Sequence, residues 1–176
     1  MVKEHPDVIV CFFDEGRFGL QAAVGRRWAR KGVRPLVKVK IGYENFYVYS
    51  AVCPTTGEDV TLFLPWVNTA MMNIFIEHLS VALNGRRCFL VMDQAGWHSS
   101  EDLRMPSNIE AVYLPPHSPE LNPVEHLWDW LKRNTIRNQF FETIDEVMDS
   151  VADYLKNATA PILKSMCGCK YLSYYK

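Results

Sequence analysis

Two short, unbroken apolar runs constrain this chain most: Val8-Ile9-Val10-Cys11-Phe12-Phe13 and Cys88-Phe89-Leu90-Val91-Met92. Each is too short for a typical helix, and both read as buried central strands. Each also ends in a carboxylate, Asp14 after the first and Asp93 after the second. Strand ends are where α/β sheets commonly place functional groups, so the coincidence points to chemistry as well as to fold.

The segments around these runs supply the rest of a sheet. Leu36 to Ile41 alternates apolar residues with lysine, Asn45 to Val52 is rich in aromatics and valine, and Val60 to Leu64 follows a Pro54-Thr55-Thr56-Gly57 turn. These three are expected as antiparallel neighbours. The period then changes: Met72, Phe75, Ile76, Leu79 and Leu83 fall at helical spacing, and Asn84-Gly85 supplies a stop. Ala111 to Leu114 reads as a short strand closed by Pro115-Pro116. Two helices are expected to finish the chain. In the first, Val124, Leu127, Trp128 and Leu131 make one apolar stripe, with Glu125, Asp129, Lys132 and Arg133 off it. The second opens on a capping box, Thr143-Ile144-Asp145-Glu146, and buries Ile144, Val147, Met148, Val151 and Leu155. The element order predicts an α/β fold: a mixed sheet flanked by helices.

With 176 residues and 48% hydrophobic content, the chain fits one folded domain. A net charge of -1 carries no hint of a nucleic-acid partner, but the distribution does: Arg26, Arg27, Arg30, Lys31, Arg34, Lys38 and Lys40 form a strip with no acidic residue among them. That strip is either a solvated loop and edge strand or a phosphate-contacting surface, and the second reading is preferred. Five cysteines form an odd set, two of them inside apolar runs, which suggests a reducing, cytoplasmic compartment. Cys167-Gly168-Cys169 has no second ligand pair for a structural zinc. No apolar run approaches the ~20 residues needed to span a bilayer, and no signal peptide is expected.

Asp14, Asp93 and a third acid, Glu125, form the candidate catalytic set. Magnesium and manganese prefer hard oxygen ligands, and two such ions about 3.5–4 Å apart can clamp a phosphate, one activating the attacking water or hydroxyl and the other stabilising the leaving oxygen. Each acid also has an ordinary explanation. Aspartate is common where strands turn, and Glu125 in Asn122-Pro123-Val124-Glu125 fits a capping box at a helix start. Glu15 follows Asp14 directly, should point to the opposite face, and is expected to be solvated or to support the ligands from behind. His98 could position a phosphate or support a ligand carboxylate, but a lone histidine near a turn is more often a surface or structural residue, and that reading is preferred; His117 is left unassigned.

Three blocks carry a resemblance: Phe13-Asp14-Glu15-Gly16-Arg17-Phe18-Gly19-Leu20; Val91-Met92-Asp93-Gln94-Ala95-Gly96-Trp97-His98; and Tyr113-Leu114-Pro115-Pro116-His117-Ser118-Pro119-Glu120-Leu121-Asn122-Pro123-Val124-Glu125. They resemble the signature blocks of bacterial insertion-sequence transposases of the mariner-type superfamily. Gly25 to Pro35 and the Thr56-Gly57-Glu58 turn extend the resemblance over most of the chain. It implies a ribonuclease-H-like fold, Asp14, Asp93 and Glu125 as metal ligands for two Mg2+ or Mn2+ ions, and cut-and-paste strand transfer on double-stranded DNA. It also implies pairs of subunits bridging two element ends, in a bacterial cytoplasm at the nucleoid. Gln94 stands where the family usually has asparagine, and His117 where tyrosine is usual. Family members normally carry N-terminal helix-turn-helix modules, which are expected to be absent here, leaving residues 1–176 as a single catalytic domain. Two alternatives stand beside the transposase: a nuclease of the same fold without strand transfer, and a non-catalytic DNA-binding or subunit-sequestering remnant.

Overall fold

The computed structural model describes residues 8–21, 25, 28–34, 36, 38, 40 and 42–169. The described elements are β1 (Val8–Gly19), β2 (Asn45–Val52), β3 (Asp59–Leu64), α1 (Thr69–Ala82), β4 (Arg87–Met92), β5 (Ile109–Tyr113), α2 (Val124–Asn134), α3 (Ile144–Asn157) and α4 (Ala160–Cys167). The strands form one sheet in the order β3-β2-β1-β4-β5. The β1/β2 and β2/β3 pairs are antiparallel, and β1/β4 and β4/β5 are parallel. This is the mixed sheet flanked by helices that the element order predicts.

Both apolar runs are central strands, and the two faces of the sheet explain their composition. Cys11 and Phe13 of β1 and Leu90 and Met92 of β4 pack with Met72, Phe75, Ile76 and Leu79 of α1. On the opposite face, Phe12 and Phe18 of β1 and Val91 of β4 pack with Leu127, Trp128 and Leu131 of α2, Val147 and Val151 of α3, and Leu163 and Cys167 of α4. A strand covered on both faces has no wet side, so polar alternation disappears.

α1 starts where the Asn68 side chain accepts from the Met71 N–H at 2.9 Å. It stops at Asn84 and Gly85, which both adopt positive φ (49° and 82°), as the stop signal predicts. The Thr143 hydroxyl accepts from the Glu146 N–H at 3.3 Å, while the Glu146 carboxylate reaches one residue further back than expected, to the Glu142 N–H at 2.8 Å.

Three expectations need correction. β1 does not end at Asp14: it continues through Glu15, Gly16 and Arg17 to Gly19, because β2 pairs with it from Phe12 onward. Leu36, Lys38 and Lys40 lie outside any strand and are exposed, so the strand expected over Leu36–Ile41 is not formed at the described positions. Among the described residues three α-helices follow β5 rather than two. The additional one, α4, carries its proline in the first turn, where the missing N–H costs nothing. Among the described residues no helix is long and apolar enough to cross a membrane.

Gly16 connects the fold to the chemistry. A Cβ built there would lie 2.8 Å from Cδ2 and Cε3 of Trp128, so the bare backbone lets the indole lie against β1. Gly16→Ala is expected to push Trp128 outward and destabilise the protein by about 1–3 kcal/mol, as overpacking does. Denaturant unfolding checks this, and an unchanged midpoint would refute it.

Candidate active site

The parallel pairing of β1 with β4 ends at Phe12 and Val91, whereas β1 runs on beside β2. Asp14 therefore sits in mid-strand, just beyond the point where β4 leaves it, and Asp93 is the first residue after β4. Asn122 brings in the third acid. Its Nδ2 donates to the Phe13 carbonyl at 2.9 Å, and its Oδ1 accepts from the Val124 N–H at 3.2 Å. The start of α2 is thereby fastened to the backbone next to Asp14, with Glu125 in the helix's first turn.

Asp14, Asp93 and Glu125 all line one cleft of about 400 Å³, walled by Gln94, Ala95, the Leu114–Pro119 segment and Asn122. His117 lines it as well and adopts a left-handed backbone (φ 55°), unusual for a residue other than glycine. The capping box, the ordinary alternative for Glu125, is not formed. The Asn122 N–H is already taken by the Pro119 carbonyl at 2.9 Å, and among the described residues the Glu125 carboxylate accepts no hydrogen bond.

The three acids differ in environment. Burial pushes the Asp14 carboxyl up from its ordinary 3.8 to about 7; a 2.8 Å hydrogen bond from Trp128 Nε1 opposes the shift, and the Glu125 and Glu15 carboxylates add to it. The Asp93 side chain is 59% exposed. Its Oδ1 accepts from the Ala95 N–H at 3.1 Å and lies 2.7 Å from His98 Nδ1, while among the described residues no hydrogen bond reaches Oδ2.

The surroundings of His98 and Glu15 were not legible in the sequence. His98 is only 1% exposed; its Nε2 lies 3.0 Å from Glu15 Oε1, which also accepts from Trp97 Nε1 at 3.0 Å. The Glu15 side chain is 7% exposed, so it is not solvated; it does point away from Asp14, as the strand period requires. Burial works against a charge on His98, but the Glu15 hydrogen bond and the charges of Glu15 and Asp93 outweigh it and raise the pKa. An imidazolium can donate at both nitrogens together, which neither neutral tautomer can. The clue in the sequence was three polar-tipped residues, Asp93, Trp97 and His98, in one block.

Arg30, Lys31 and Arg34 are exposed and do not line the cleft, and Arg26 and Arg27 lie outside the described residues. Lys40 donates to the Glu142 carbonyl.

The profile of the DDE superfamily endonuclease family matches residues 9–148. The chain belongs to that family. The uncharacterized protein y4pE/y4sA of Sinorhizobium fredii is 38% identical over 103 residues, covering 58% of this chain and 76% of the relative. The 39 kDa protein of insertion element IS630 from Shigella sonnei is 22% identical over 161 residues, covering 89% of this chain and 46% of its own length. Among solved structures, the Mos1 mariner paired-end complex with Mn matches with a TM-score of 0.70 at 16% identity, over 90% of this chain and 51% of that one. The resemblance read from the three blocks and the ribonuclease-H-like fold therefore both hold, and this chain spans about half the length of the IS630 and Mos1 proteins.

The donor set suits a hard divalent cation: three carboxylates, no soft ligand, and an Asp14 held above its ordinary pKa partly by the repulsion a cation would relieve. Among the described residues no three acidic, histidine or cysteine side chains stand close enough to hold a metal ion as they are. In protein without metal, folded Asp14 keeps a proton up to about pH 7, whereas unfolded Asp14 releases it near pH 4. Its contribution to stability is thus complete below about pH 4 and lost as pH rises through 7. In EDTA, Asp14→Asn, whose amide oxygen still accepts from Trp128, is expected to raise Tm at pH 8 and to do so much less at pH 4. Every tenfold difference in proton affinity between the folded and unfolded states is worth about 1.4 kcal/mol, or ~2–4 °C per kcal/mol for a chain of this size. Equal effects at the two pH values would refute the assignment.

Proposed function

We propose that this chain is the catalytic domain of a DNA transposase, in which Asp14, Asp93 and Glu125 hold two Mg2+ or Mn2+ ions for phosphodiester cleavage at element ends and strand transfer into target DNA. The observation that carries the reading is the convergence of these three acids, distant in sequence, on one cleft within the family-matched segment. Bound ions would supply activation of the attacking oxygen and neutralisation of charge on the phosphate and leaving oxygen. Support comes also from the relatives: one is encoded by an insertion element, and the solved mariner structure is a paired-end complex with Mn.

The chain's own residues orient rather than react. Trp128 holds Asp14 Oδ2, leaving that carboxylate facing the cleft, and Asn122 holds the first turn of α2 so that Glu125 projects toward the same space. Gln94 Nε2 donates to the Leu114 carbonyl at 2.8 Å, closing the loop after β4 against the end of β5 and bracing Asp93. The Pro115-Pro116-His117-Ser118-Pro119 wall is stiffened by its prolines and limits how a DNA backbone can enter. Arg30, Lys31 and Arg34, with Arg26 and Arg27, provide positive charge for phosphate contacts, and a homodimer engaging two DNA ends completes the proposal.

Glu125→Gln tests the central claim. Because no capping hydrogen bond depends on Glu125, the substitution should cost only the ~0.3–1 kcal/mol of a charge at a helix N-terminus. Mn2+-dependent nicking of element-end DNA should fall by orders of magnitude. Near wild-type cleavage would demote Glu125, and cleavage without joining of pre-cut ends to a target would leave a nuclease. Binding to DNA of arbitrary sequence should weaken steeply as salt rises. In a filter-binding or anisotropy titration, replacing Arg30, Lys31 and Arg34 together by alanine should flatten that dependence. An unchanged salt slope would remove the strip from the interface.

A further inference from the structure

Asp93 differs from the other two acids in how little of its own element supports it. Asp14 is embedded in a strand paired along its length, and Glu125 rides on a helix whose start is tied to β1. Asp93 instead begins a Gln94-Ala95-Gly96 loop, with its side chain more than half exposed. A carboxylate in that position would sample several rotamers, and each misdirected rotamer removes a ligand from the cleft.

His98 stands in the way of that freedom. Its Nδ1 lies 2.7 Å from Asp93 Oδ1, and the ring is clamped on every side. Nε2 meets Glu15 Oε1 at 3.0 Å, and the His98 N–H donates to the Ala95 carbonyl at 2.9 Å. The Tyr113 hydroxyl donates to the His98 carbonyl at 2.8 Å, and the ring meets Phe13 and Trp97 edge-on at 5.5 and 5.7 Å. Glu15 is in turn held by Trp97 Nε1 and buried beneath α1's side of the sheet.

We propose that Glu15 and His98 are positioning residues: Glu15 anchors the imidazole, and the imidazole holds Asp93 Oδ1 so that Oδ2 is presented to a divalent cation in the cleft. β1 thus serves two acids at once, Asp14 from one face and Asp93 through Glu15 and His98 from the other. The inference rests on the metal-binding reading of the cleft and adds the device that orients its most exposed ligand.

The test is Mn2+ affinity of the full chain, followed by electron paramagnetic resonance of free Mn2+, with Tm in EDTA recorded for every variant. In His98→Gln the side-chain nitrogen falls near the place of Nε2 and the contact to Asp93 is lost. In His98→Asn it falls near the place of Nδ1 and that contact is kept. Both remove the buried ring, so a merely structural role predicts similar losses from each. Positioning predicts that His98→Gln weakens Mn2+ binding about ten-fold or more, and that His98→Asn, which keeps the Asp93 contact but loses the Glu15 anchor, falls between His98→Gln and wild type. Glu15→Gln and Glu15→Met both remove the charge, but only Gln keeps an acceptor for the imidazole. Gln should therefore retain affinity that Met loses. If His98→Gln does not fold, the Glu15 pair carries the same comparison. Wild-type protein binding Mn2+ no better than Asp93→Asn would overturn the metal reading and this inference with it. Clear wild-type binding, left unchanged by folded His98→Gln or lost equally in both Glu15 variants, would overturn the positioning role alone.

Discussion

The hydrogen bond from Asn122 Nδ2 to the Phe13 carbonyl joins the two halves of the site. It forms one residue past the last pairing of β1 with β4, where a buried backbone carbonyl needs a partner that β4 no longer offers. Asn122 is itself buried, and its other side-chain atom takes the Val124 N–H, one of the orphan donors of the α2 N-terminus. One side chain therefore satisfies two backbone groups and sets the distance between the strand that carries Asp14 and the helix that carries Glu125.

Around that tether the protein accepts electrostatic cost. Asp14 is partly buried near Glu125 and Glu15, and the Trp128 hydrogen bond opposes the resulting shift without cancelling it. His98 offers a second, local counterweight between Glu15 and Asp93. Carboxylates gathered without a cation lower the stability of the folded state, and proteins tolerate this where function needs the charge. The apolar clusters on both faces of the sheet supply the stability that allows it.

The same arrangement explains why the fold is recognisable at 16% identity to the mariner structure. Central strands buried on both faces need only apolar residues of suitable volume, so their identities can drift while the pattern remains. Polar side chains are constrained differently, because each needs a particular partner atom: Asp14 with Trp128, Asn122 with the Phe13 carbonyl, and His98 with Asp93 and Glu15.

The sequence by itself determined the elements whose signals are local. Continuous apolar runs announced β1 and β4, helical spacing announced α1, α2 and α3, and the three motif blocks singled out Asp14, Asp93 and Glu125. Tertiary structure decided what depends on partners distant in the chain. The polar half of β1, Glu15-Gly16-Arg17, is a strand because β2 lies beside it, and Leu36, Lys38 and Lys40, despite their alternation, are in no strand. Glu125 looked like a helix cap because its spacing from Asn122 is right, but the Pro119 carbonyl had already taken the N–H it would have bonded. Glu15 and His98 could not be paired from sequence, since nothing local links a strand residue to a loop 83 positions away. Periodicity records which face of an element is buried, but the hydrogen-bond partners of a polar side chain are set only when the elements pack.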